Sequence, residues 1–122
     1  MQQGQWMCST RMTSEVLLVL TNCPDADSAD KIAQAAINRR LAGCVSRLPP
    51  VASIYRWQGA VETAEEHPLL IKTTRARYAE LERMLSEMHP YTTPEIIALP
   101  VDVGYRPYLR WVAEETQSPL SE

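Results

Sequence analysis

The sequence predicts a single α+β domain of order β-α-β-β-α-β with a short helix at its end, a ferredoxin-like sandwich. Three observations carry this expectation. The run Glu15-Val-Leu-Leu-Val-Leu-Thr21 is continuous, apolar and of strand length, as suits a central strand buried on both faces. Two amphipathic helical stripes flank a long extended segment interrupted by turn residues. The order divides into two right-handed βαβ halves joined by a hairpin, which places both helices on one face of the sheet.

After the first strand, Pro24, Asp25, Asp27 and Ser28 supply capping oxygens and negative charge at a helix start. Ala29, Ile32, Ala33, Ala36, Ile37 and Leu41 then form one apolar stripe, with Arg39 and Arg40 expected in the last turn and Gly43 as the stop. Residues 44–48 resume as strand. Pro49-Pro50 cannot serve a central ladder, so a bend or bulge at a sheet edge is expected there. Residues 51–57 read as extended, Gln58-Gly59 as a turn, and residues 60–63 as the return. The charged stretch 62–67 thins the pattern before Leu69-Leu-Ile-Lys-Thr-Thr74, so residues 44–74 read as one long, irregular hairpin (the β2–β3 hairpin of the fold).

Tyr78, Leu81, Leu85 and Met88 give a second helix over about residues 75–88, ended by His89-Pro90 because a residue before proline avoids the helical region. Ile96-Ile97-Ala98-Leu99 is the last strand, closed by Pro100. Pro107 fits the first turn of a final helix with Tyr108, Trp111 and Val112 on its apolar face.

With 122 residues there is room for one core, assigned to residues 14–117, with residues 1–13 and 118–122 expected as tails, the first of them disordered. No run approaches the roughly 20 apolar residues of a membrane helix. No stretch resembles a secretory signal, so a cytoplasmic setting is expected. Lys and Arg number 12 against 15 Asp and Glu, a net charge of −3 without the basic stripe of nucleic-acid binders. Cys8, Cys23 and Cys44 are odd in number, widely spaced and without a CxxC pair, and are expected as free thiols.

In this topology the long strand through Val51, Ile54, Tyr55 and Trp57 is an edge. An apolar edge with open backbone groups invites pairing with another chain, and closed symmetry is the usual outcome. The competing reading folds the last helix back over that edge through Tyr108 and Trp111. The pattern itself does not choose between dimer and trimer.

The segments Leu41-Ala-Gly-Cys-Val45, Pro49-Pro-Val-Ala-Ser-Ile-Tyr-Arg-Trp-Gln-Gly59, Leu70-Ile-Lys-Thr73, His89-Pro-Tyr-Thr-Thr-Pro-Glu95 and Tyr108-Leu-Arg-Trp111 resemble the hallmark segments of the CutA divalent-cation-tolerance family, in order over about residues 15–116. The resemblance implies a ferredoxin-like protomer, a homotrimer built through the long hairpin, and a cytoplasmic role in tolerance to copper and other divalent cations, with no catalytic activity. It also implies copper ligands at Cys44 and His89. A further cysteine of some members aligns with Thr21 here, with Cys23 two residues later.

Thiolate and imidazole suit copper. Topology places Cys44 and His89 at opposite ends of one protomer, so a shared site must cross a subunit boundary. Cys23, His89, Tyr91 and Glu95 are expected as neighbours at the other end, and that is where a compact metal site within one chain is expected. The ordinary alternatives are a buried, apolar Cys44 and a His89 bonded to helix carbonyls. Cys23–His89 is the sole nucleophile–base pair on offer, and no GxSxG, P-loop or GxGxxG motif occurs. Two further readings stay open. One is a small-ligand sensor, akin in architecture to the PII signalling proteins, with Arg56, Trp57, Lys72, Arg75, Tyr91 and Glu95 lining an intersubunit cleft. The other is a structural trimer that anchors partner proteins.

Overall fold

A computed structural model describes residues 15–118. The expectations for residues 1–13 and for 119–122 lie outside the described residues. The elements are β1 (Val16–Cys23), α1 (Ala26–Asn38), β2 (Cys44–Arg47), β3 (Val51–Trp57), β4 (Ala60–Thr74), α2 (Arg75–Met88), β5 (Ile96–Pro100) and α3 (Arg106–Glu115). The sheet is antiparallel in the order β2-β4-β1-β5, and β3 pairs with the far half of β4. This is the ferredoxin-like arrangement with its extended hairpin and C-terminal helix.

From Leu17 onward β1 alternates between buried and half-buried side chains. Leu17, Val19 and Cys23 join Leu69 and Ile71 of β4 in a core with Ala29, Ile32 and Ala36 of α1 and Leu81, Met84 and Leu85 of α2. By strand alternation Leu18, Leu20 and Asn22 point to the other face, which α1 and α2 leave uncovered. Met88, expected on the buried stripe of α2, is 37% exposed.

The start of α1 is as the sequence implies, with Asp25 Oδ1 accepting the Ser28 N–H at 2.8 Å. Its end is not. The helix stops at Asn38, and Arg40 adopts a left-handed φ of 59°. Leu41 N–H reaches Ala36 O at 2.9 Å and Arg40 N–H reaches Ile37 O at 3.0 Å, the paired bonds of a Schellman motif. Arg40 therefore takes the position usually given to glycine. Gly43 serves instead as a close approach: a Cβ there would sit 3.3 Å from Val112 Cα of α3. The Arg40 guanidinium reaches onward to the carbonyls of Glu114 and Gln117 at the end of α3.

A second departure concerns β4. It runs unbroken for 15 residues, through both the charged stretch and Pro68. Pro68 O accepts the Leu48 N–H at 3.0 Å, so the proline nitrogen faces the same side. That side is the gap between β2 and β3, where no ladder donor is required. Across the gap residues 48–50 oppose only residues 67–68, a one-residue bulge at Pro49-Pro50. The extra residue exchanges the faces of the edge chain. Cys44 and Ser46 share the uncovered face with Leu70 and Lys72, whereas beyond the bulge it is the odd-numbered Ser53, Tyr55 and Trp57 that share that face with Glu62 and Glu66.

The last helix begins as expected, with Pro107 in its first turn. Only Val112 of its apolar face is fully buried. Tyr108 and Trp111 form a tilted pair with ring centres 5.7 Å apart and stay partly exposed, with Tyr108 close to Cys44 of β2.

Candidate ligand groove

Let β1 run upward. Its upper end, the loop after α2 and the projecting half of the hairpin enclose an open groove of about 890 Å³. Tyr55, Trp57, Glu62 and Glu66 come from the hairpin, Asn22 from β1, and Tyr91, Pro94 and Glu95 from the loop. His89 holds that loop in place. Its Nε2 lies 2.7 Å from Asn22 O, and its Nδ1 accepts the Tyr91 N–H at 3.2 Å. A carbonyl only accepts and an amide N–H only donates, so the ring is the neutral Nε2–H tautomer. Burial pushes its pKa below the usual histidine value, partly offset by the Asn22 carbonyl and by Glu66. Asn22 Nδ2 also donates to Glu95 Oε1 at 2.9 Å, fastening the next part of the loop.

Tyr91 completes the frame by donating to Glu66 Oε2 at 3.0 Å. Burial, then the Glu66 bond and charge, raise the Tyr91 hydroxyl to about 12, so it stays a donor at any ordinary pH. Cys23 lies beneath this assembly, fully enclosed. Desolvation and the charges of Asp25 and Glu66 push its thiol up to about 11, against a bond from Ser28.

The structure thus gathers Cys23, His89, Tyr91 and Glu95 at the upper end. Cys44 lies at the lower end, paired with Lys72, whose Nζ donates to Ser46 Oγ at 2.6 Å and sits 3.8 Å from Cys44 Sγ. Of the expected cleft residues, Trp57, Tyr91 and Glu95 line the groove. Lys72 is at the other end of the sheet, Arg75 pairs with Glu15 at 2.8 Å, and Arg56 points to the opposite face of the hairpin from Trp57. Sequence reasoning missed Asn22, Tyr55, Glu62 and Glu66. The acidic stretch reads as a solvated strand end, and only the bulge at Pro49-Pro50 signals which hairpin residues share its face.

Residues 17–115 match the family described as the CutA1 divalent ion tolerance protein. The chain belongs to the CutA family. Among curated relatives, the CutA divalent-cation tolerance protein of Thermus thermophilus is 46% identical over 99 residues, covering 81% of this chain and 96% of the relative. The mouse CutA protein is 40% identical over 103 residues, 84% of this chain, which spans only 58% of the mouse protein's length. The solved structure of the Thermus CutA1 protein superposes with a TM-score of 0.82 at 44% identity, over 84% of this chain and 99% of that one. The crystal structure of CutA from Xylella fastidiosa gives 0.83 at 43% identity, over 85% and 100%. The family match spans every residue that lines the groove.

Copper, which the family resemblance implies, finds no closed site within one such chain. Cys23 is held protonated and buried, both ring nitrogens of His89 are engaged, and Cys44 faces the Lys72 ammonium. Among the described residues no three His, Cys, Asp or Glu side chains come together to hold a metal ion. No helix among them is long and apolar enough to cross a membrane.

Proposed function

We propose that this CutA family chain works as a cytoplasmic homotrimer that supports tolerance to divalent cations, copper among them, by binding rather than by catalysis. The observation that carries the assembly is the sheet face left bare by α1 and α2. The registers align Leu18 with Leu99, Leu20 with Ile97 and Leu70 beside them on that face. In the single chain Ile97 and Leu99 remain 50% and 48% exposed. Completing the burial of such half-covered side chains gives about 1 kcal/mol each, and the β3 edge with its open backbone groups adds a second incentive. A ring of three copies covers both, in keeping with the assembly that the family resemblance implies.

In this reading metal is held where copies meet, with Cys44 of one subunit brought to His89 and Cys23 of another, since one chain keeps Cys44 at the opposite end. Binding releases His89 and Cys23 from the contacts they make in the single chain. The free thiols Cys23 and Cys44 fit a reducing compartment. Light scattering on dilute protein should return three times the chain mass, and Leu99→Glu should dissociate it. Cu(I) titration against a competing chelator should lose affinity in both Cys44→Ser and His89→Ala. A stable, soluble monomer removes the assembly, and unchanged affinity in both variants removes the metal reading.

A second reading, a small-ligand sensor, is favoured by one observation. The upper groove is lined by three carboxylates and three aromatic rings held by a hydrogen-bonded frame.

A further inference from the structure

We infer that Lys72 of one copy forms an ion pair with Glu66 of the next, so that each copy completes the charge its neighbour leaves unmatched. The inference rests on the proposed assembly and names the charged contact that sets how its copies meet.

Both residues belong to β4, and both stand on the sheet face that α1 and α2 leave bare. Glu66 is 8% exposed, and its side-chain donor is the neutral Tyr91 hydroxyl on Oε2. Lys72 is half-buried, with its Nζ against Ser46 Oγ at 2.6 Å and Cys44 Sγ at 3.8 Å. Neither charge has an ion-pair partner among the described residues. Each is desolvated by its own chain, so contact with a second copy only deepens the burial. A desolvated charge without a counter-charge is costly, and more so the deeper it lies.

The two cannot answer each other within one chain. Six residues of extended strand hold them roughly 20 Å apart. Between copies the same separation makes the face complementary to itself, an acid towards the upper end and a base towards the lower. Such a contact is head to tail, and one that closes gives a ring with the same pair at every junction. The strands offer Glu66 no other Lys or Arg on that face among the described residues, because Arg47 and Arg56 stand on the opposite one. Arg47 is also held by Asp30 at 3.1 Å.

The pairing also serves the proposed metal site. Cys44 lies beside Lys72, and Glu66 is close enough to Cys23 and His89 for its charge to act on both. The contact therefore carries Cys44 of one copy to the end of its neighbour where those two residues stand.

A double-mutant cycle on the full-length protein tests the pair. Glu66→Gln keeps an acceptor for Tyr91, and Lys72→Met keeps the aliphatic stem. Light scattering over a dilution series reads the assembly, with urea added to bring dissociation into range. Each single variant should raise the concentration at which the copies separate about ten-fold or more, and the double variant no further than the worse single one. In the Leu99→Glu background, where the copies are apart, the same cycle read by urea unfolding should be additive. Additive losses in the assembled protein, or none, overturn the pair and leave the assembly standing. Coupling of Glu66 to Arg106→Met or Arg110→Met of α3 in place of Lys72→Met does the same. Coupling that persists in the separated chains places the interaction inside one copy and likewise overturns it. A parent protein that is monomeric throughout sinks the inference and the assembly together.

Discussion

The Tyr91 hydroxyl and the Glu66 carboxylate, 3.0 Å apart, join two parts of the chain that share no backbone pairing: the loop after α2 and the projecting half of β4. Through this one bond the hairpin and the loop become two walls of the same groove. Removing the donor takes from the largely buried Glu66 the one side-chain hydrogen bond it accepts among the described residues. Tyr91→Phe should therefore cost about 1–3 kcal/mol in urea unfolding at pH 7, and the double variant with Glu66→Gln should recover part of it. Additive losses in the cycle would show that the two residues do not act as a pair.

His89 makes stability depend on pH with a definite sign. Its folded pKa lies below the ordinary 6.5, so the unfolded chain binds the proton more tightly. Its contribution is fully present above pH 6.5 and is lost as the pH falls through the folded value. Unfolding free energy measured from pH 8 to pH 5 should decline on the acid side, and His89→Asn should flatten that decline. A His89→Asn variant with the same acid slope as the parent would assign the effect elsewhere.

Thr21 carries a defect. Its Oγ1 is enclosed in the core with no hydrogen-bond partner among the described residues. Valine has the same shape without the hydroxyl. Thr21→Val should stabilise the protein by about 1 kcal/mol, read as a higher urea midpoint with unchanged slope. A lower midpoint would mean that the hydroxyl has a partner in solution.

The hairpin tip offers a surface test. Gln58 and Gly59 have φ of 52° and 82° between the paired Trp57 and Ala60, the signature of a two-residue type I′ turn. Asparagine tolerates that conformation better than glutamine. Gln58→Asn should add about 0.5 kcal/mol with no change in ligand binding, and a loss of stability would contradict the turn assignment.

Much of this architecture is legible in the residues. The apolar run of β1, the stripes of α1 and α2, the His89-Pro90 stop and the Pro107 start all follow from local rules of periodicity, capping and proline geometry. The errors sit where a distant partner overrides a local preference. Arg40 takes a left-handed conformation because its guanidinium bonds the end of α3 and its carbonyl accepts from Arg77. Pro68 is tolerated inside a strand because the missing donor faces a gap.

The candidate site divides in the same way. Sequence order and topology suffice to bring Cys23, His89, Tyr91 and Glu95 to one end and to send Cys44 to the other. They do not reveal that both nitrogens of His89 are engaged, nor that Glu66 is buried, because those facts depend on contacts between segments remote in the chain.

The amino-acid sequence alone determined the order of the elements, the helices on one sheet face and the family, since each is written in side chains close together along the chain. That β1 is covered on one face and not on both is a finding of the structure. The tertiary structure alone decided which side chains line the groove. A single unmatched residue at Pro49-Pro50 reverses the facing of β3, and that reversal puts Tyr55 and Trp57 on the same face of the hairpin as Glu62 and Glu66.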